Sequence, residues 1–204
     1  MEFTNFGWNT LTFGFLGMIV FTIVGSWGLL KQNEKIWKNQ SGKLLSITWF
    51  VANFYMCIAI FLYGLDQFSI SLIFHGIIRG LFHIPILIGL RRFKGFKILE
   101  IIIFYAMAGG ILLMIILPMK ALFFLLFSYI GIIALSTQPW EIWRKKEVGE
   151  LSIRLIMTYL ISSLFWLLYS FAFDNLTMKI VSISYFIILL IITQLWFKYH
   201  TKTI

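Results

Sequence analysis

One cysteine, three prolines and eight acidic residues are all that a chain of 204 residues contains of those kinds. The single thiol, Cys57, excludes an internal disulfide and any cysteine-built metal cluster. Charged side chains make up only 12% of the chain against 60% hydrophobic ones, where a soluble domain carries about 25% charged residues. Such a chain needs lipid as its solvent. It also lacks a long polar loop, a low-complexity segment and a stretch that could fold in water, so any function has to be carried out inside the membrane. A net charge of +9 would suggest nucleic acid as the partner of a soluble protein. Here the cations sit in short joints between apolar runs, where they read as topology determinants, and no nucleic-acid partner is expected.

Runs close to the 20 apolar residues that cross a hydrocarbon core of about 30 Å occur seven times, at approximately 8–30, 44–65, 67–90, 96–117, 119–138, 151–173 and 177–198. Residues Met1 to Asn9 hold an acid and no basic cluster, and no small-residue cleavage site follows the first run, so that run is expected to remain as a helix. Fourteen cations fall in alternate joints: Lys31, Lys35, Lys38, Lys43, Arg91, Arg92, Lys94, Lys97, Arg144, Lys145, Lys146, Arg154, Lys198 and Lys202. The opposite joints hold only Lys120 and Lys179, beside Asp66 and Asp174. By the positive-inside rule the N-terminus is expected outside the cell and the C-terminus in the cytoplasm, in a multi-pass protein of the cell membrane.

The remaining cation, Arg79, lies at the middle of the third run, with His75 and His83 four residues to either side. In a helix the three side chains fall roughly 40° apart in succession along about 12 Å of axis, as one polar stripe. A cation at that depth costs about 2.5 to 3.5 kcal/mol to insert and persists only when it faces the bundle interior, water or a partner. A structural arginine satisfied by carbonyls is one reading. The flanking histidines favour another, a binding site for a small solute with an anionic or strongly accepting end, with proton coupling through His75 or His83 left open. Asn53, buried by its run, needs an interhelical partner or a ligand.

Two joints resemble one another at an offset of 106 residues. Gln32, Ile36-Trp37-Lys38, Gly42 and Leu45-Ser46 correspond to Gln138, Ile142-Trp143-Arg144, Gly149 and Leu151-Ser152, with a one-residue shift at the glycines, and Tyr63 corresponds to Tyr169. The expectation is an all-α membrane protein of seven transmembrane helices, built as two parallel three-helix repeats, 1–92 and 119–204, joined by a linker helix at 93–118. The odd linker crossing restores the same orientation to both copies. Parallel repeats are a recurrent transporter design that holds its solute between the halves. The stripe has no copy in the second repeat, where Val181, Tyr185 and Leu189 stand at the offset positions.

Taken together, these features resemble the PQ-loop superfamily and its SWEET sugar transporters. The second repeat has Trp166-x-x-Tyr169-Ser170 where that family has Trp-x-x-Tyr-Gly; the first keeps Tyr63-Gly64 with Ile60 at the tryptophan position. The Pro-Gln dipeptide is replaced by Lys31-Gln32 and by Thr137-Gln138 with Pro139 following, and the third-helix asparagines by Gly76 and Ser182. The resemblance implies alternating-access transport of a small polar metabolite, with a sugar or sugar-like solute first; the chemistry of the stripe puts a small carboxylate or amino acid next. It implies a site that includes Gly76, Trp166 and Ser182, with Gln32, Gln138 and Pro139 as hinge positions; the stripe of His75, Arg79 and His83 adjoins Gly76, and Asn53 and Tyr159 stand nearly two turns before Ile60 and Trp166 on the same helix faces. No cofactor, metal or catalytic residue is implied, and assembly into a homo-oligomer stays open. A receptor for a carboxylate-ended ligand is the alternative. An intramembrane enzyme ranks lower, because Glu34, Glu100, Glu141 and Glu147 form no catalytic pattern and His75 and His83 stand too far apart to share one metal ion.

Overall fold

A computed structural model describes residues 6–42, 45–146 and 153–200, with the side chains of 137–138, 141 and 154–155 left aside. Seven helices occur among the described residues: α1 Thr10–Asn39, α2 Ile47–Asp66, α3 Ile70–Phe93, α4 Ile98–Ile116, α5 Lys120–Lys145, α6 Ile153–Ala172 and α7 Leu176–His200. No strand occurs among them. By length and composition α1, α2, α3, α4 and α7 can each cross a membrane, while α5 and α6 carry the shorter apolar stretches Lys120–Ser136 and Ile156–Ala172. Wide apolar faces stay exposed, as on α4 with Ile98, Leu99, Ile102, Leu112 and Ile116. That exposure suits a multi-pass protein whose outer surface meets acyl chains.

Helix starts follow the polar residues between the runs. Asn9 Oδ1 accepts from the Thr12 amide at 2.9 Å, Ser46 Oγ from Trp49 at 3.2 Å, Ser69 Oγ from Leu72 at 3.3 Å and Asn175 Oδ1 from Met178 at 3.0 Å. Each satisfies one amide that the first turn leaves without a backbone acceptor. At the end of α4 the Lys120 ammonium donates to the carbonyls of Met114, Ile115 and Leu117, which no later turn can serve.

Two helices run on past the hydrophobic segments read from the sequence. The α1 helix continues through Lys31 to Asn39, and α5 through Pro139 to Lys145. Gln32 and Gln138 therefore stand seven residues before the ends of their helices, inside them rather than at their termini. Hydropathy falls where hydrocarbon ends, but backbone bonding does not require hydrocarbon. In α1 the extension is held by a buried Ile36 and by the Trp37 indole, whose Nε1 donates to the Pro85 carbonyl at 3.2 Å. The glycine and Leu-Ser of the second basic joint lie outside the described residues.

Local backbone geometry recurs at the 106-residue offset. The four non-glycine residues with positive φ among the described residues form two such pairs, Gln40 (47°) with Lys146 (58°) and Phe68 (51°) with Asp174 (53°). The turn between α2 and α3 is closed by Ser69 N donating to Gly64 O at 2.9 Å, and that between α6 and α7 by Asn175 N donating to Ser170 O at 3.3 Å. Phe68 and Asp174 each pay the modest cost of a left-handed residue at the same step of the same turn. In the second turn Asp174 also pairs with Lys179 across the joint.

The chain divides into two compact units, one spanning Thr22–Gly131 and the other joining the segment up to Phe21 with the chain from Ile132 onward. Both α1 and α5 contribute to each unit. In the first, Tyr63 stacks on Phe124 with centroids 4.6 Å apart, and the α2–α3 seam closes at Gly76. A Cβ there would come within 2.7 Å of the Cys57 carbonyl oxygen, so only glycine allows the two backbones to meet. In the second, Gly14 and Gly17 of α1 lie against Tyr169 and Phe165 of α6. A cluster of Ile142, Ile156, Leu189, Ile192, Trp196 and Tyr199 fills the interior of that unit toward the ends of α5 and α7.

Candidate functional site

The charged stripe of α3 lies wholly within the first unit and divides between two seams. His75 is buried and its Nδ1 lies 2.8 Å from the Thr22 hydroxyl of α1. One turn on, the half-buried Arg79 lays its guanidinium along α1 at Gly25, where a Cβ would meet Nη1 at 3.5 Å. Ser26, next on that face, donates its hydroxyl to the Thr22 carbonyl at 2.7 Å. The guanidinium thus faces a neighbouring helix rather than acyl chains, which is how a cation persists at this depth.

His83 turns toward α2. Its ring centroid is 6.2 Å from that of Phe50, and only 2% of its surface is exposed. Nδ1 lies 2.7 Å from the Arg79 carbonyl oxygen. A carbonyl can only accept, so Nδ1 carries the hydrogen, and in the neutral ring Nε2 is a bare lone pair. That atom is buried with no hydrogen-bond partner. Leaving a buried acceptor unserved costs about 1–3 kcal/mol, so the position calls for a donor.

The other residues singled out by the sequence fall as follows. Gly76 is occupied in the α2–α3 contact described above. Asn53 is buried, and its Nδ2 donates to the Trp49 carbonyl of its own helix at 2.8 Å. Glu100 accepts from the Lys97 amide at 2.8 Å and so serves the start of α4. In the second unit Ser182 is buried with an unpartnered hydroxyl, Trp166 is half-buried on α6, and Tyr159 packs against the cluster around Ile156. Pro139 is buried within α5; the Gln138 side chain lies outside the described residues. No group of three or more metal-binding side chains occurs among the described residues.

Thr22, Gly25 and Phe50 escaped the sequence reading because they carry no charge and only packing makes them neighbours of the stripe. One signal was available. Thr22 and Ser128 are both buried hydroxyls at the 106-residue offset, and Ser128 Oγ has no hydrogen-bond partner.

Residues 116–203 match the family described as sugar efflux transporters for intercellular exchange. The match bears out the SWEET-like resemblance over α5, α6 and α7 and supports a transporter by kind. A search of curated proteins finds no match. The α3 stripe lies outside the matched residues.

Proposed function

We propose that the protein moves a small sugar or sugar-like solute across the cell membrane by alternating access, with seven helices arranged as two parallel three-helix repeats around α4. The family match over residues 116–203 carries this reading. The paired turns at Phe68 and Asp174 support the repeat. Orientation follows from the basic joints, which put the N-terminus outside.

Within the first unit, His75, Arg79 and His83 are the proposed solute contacts. His83 Nε2 asks for a hydroxyl or amine hydrogen, which a sugar supplies and a carboxylate does not. In the second unit Trp166 offers a flat apolar wall and Ser182 an unpaired hydroxyl, the two kinds of surface a sugar ring presents in return. Arg79 is the observation that favours the second reading, a small carboxylate or amino acid.

Purified protein in liposomes, assayed by counterflow with labelled hexoses and labelled small carboxylates, separates the two. Accumulation of a hexose that unlabelled hexose drives and carboxylates do not compete supports the sugar reading. Binding without accumulation of any solute would turn the proposal toward a receptor. Coupling to protons through His75 or His83 requires that an imposed pH gradient change the initial rate; a rate indifferent to the gradient removes that part.

A further inference from the structure

Some cations at the helix ends are engaged by the protein and others are not. Lys120 is taken up by three carbonyls of α4, and Lys179 by Asp174. At the other end of the first unit, Lys35 and Lys38 of α1 and Arg91 and Arg92 of α3 are all exposed. None of the four has a hydrogen bond or ion pair among the described residues. The two acids nearby are engaged elsewhere, Glu34 with Lys31 at 2.8 Å and Glu100 with the amide of Lys97.

Packing brings the two pairs of cations together. The Trp37 indole bonds the Pro85 carbonyl and meets Phe93 edge-on with centroids 5.5 Å apart, while Lys94 Nζ donates to Leu45 O at 2.6 Å. The last turns of α1 and α3 therefore lie side by side, with aromatic rings at the level where hydrocarbon gives way to water. Helix dipoles favour cations at these C-terminal turns but leave their hydrogen-bond donors unused.

From this we infer that Lys35, Lys38, Arg91 and Arg92 form a docking surface for the phosphate headgroups of anionic phospholipids in the cytoplasmic leaflet. The inference rests on the membrane-embedded fold and its orientation, not on which solute is carried. Guanidinium groups bind phosphate oxygens through two parallel hydrogen bonds, and Trp37 and Phe93 give the glycerol region an apolar seat.

The test is lipid retention by the full chain, purified from micelles holding equal amounts of dioleoylphosphatidylglycerol and dioleoylphosphatidylcholine, with bound lipid counted by mass spectrometry. Wild type should retain the anionic lipid in clear excess, and about 0.5 M salt should erode that excess by screening. Each cation removed should lower the preference about fivefold, so Arg91→Gln/Arg92→Gln should lower it by more than tenfold. Lys35→Gln/Lys38→Gln is the second variant, in case the first inserts poorly. Lys179→Gln should leave the preference intact. Glycerophosphoglycerol, the headgroup without chains, should fail to compete. Equal retention of both lipids by wild type, or a preference that survives both double variants, would overturn the proposal, as would equal loss in Lys179→Gln. An acidic protein copurifying in place of lipid would overturn it as well.

Discussion

Thr22 of α1 and Ser128 of α5 lie 106 residues apart, yet among the described residues only the first hydroxyl has a hydrogen-bond partner. Thr22 meets His75 at 2.8 Å, whereas Ser128 is buried with no hydrogen-bond partner. Val181 stands 106 residues after His75. The next pair differs in the same way: Gly76 lets α3 close on α2, while its counterpart Ser182 holds a hydroxyl that nothing in the described structure serves. The turn geometry recurs at this offset and the polar chemistry does not. Frame and chemistry are thus separable here: the recurring turns set helix direction, and a few side chains on α3 add charge.

The comparison breaks most sharply at Arg79. Replacing it by Met removes the only cation within the stripe, and hydrogen bonds to a charged group contribute about 1.5–3 kcal/mol each. Loss of one such solute contact should lower kcat/KM in the liposome assay by about ten- to a hundredfold. Unchanged transport by a well-folded variant would make the arginine structural.

Gly76→Ala comes next. The added Cβ meets backbone atoms that cannot swing away, and overpacking of this kind costs about 1–3 kcal/mol. A lowered midpoint in thermal denaturation checks it. Ser182→Ala should do the opposite, holding or raising the midpoint by removing an unserved buried hydroxyl while slowing transport if that hydroxyl meets solute. A fall in both would mean that Ser182 supports the fold.

Thr22→Val and Ser128→Ala sharpen the opening contrast. The first should cost about 1 kcal/mol, the usual net contribution of one hydrogen bond, and the second nothing measurable or a slight gain. Equal costs in the same melts would erase the distinction between the two positions.

The smallest effect belongs to the turn that Asp174 shares in geometry with Phe68. The hydrogen bond and charge of Lys179 hold the Asp174 carboxyl below its usual value. A carboxylate with a depressed folded-state pKa contributes stability that is present above the unfolded value of about 3.9 and fades as pH falls through the folded one. Since Asp174 is exposed, Lys179→Gln should leave melts near neutral pH almost unmoved. A carbon-detected NMR titration should nonetheless show the Asp174 titration moving up toward the ordinary range.

Legibility in the sequence followed physical range. Hydropathy located the seven helices of the described residues, five of them long and apolar enough to cross a membrane, since it reflects contact of one residue with one solvent. It missed the last nine residues of α1, where packing of Ile36 and Trp37 rather than lipid holds the turn. Helical spacing put His75, Arg79 and His83 on neighbouring turns, but not the split by which two face α1 and the third faces Phe50 of α2. That split depends on how α3 is rotated about its axis, which the α2–α3 contact at Gly76 fixes and no local pattern records.

Because one compact unit is an uninterrupted stretch and the other is assembled from sequence on both sides of it, no single break in the gene releases either one whole. Severing the chain within α4 would give two polypeptides that each hold fragments of both. Neither should mature alone, and co-expression should be what rescues them. A protein of this plan behaves genetically as one indivisible object, even though its sequence advertises a duplication.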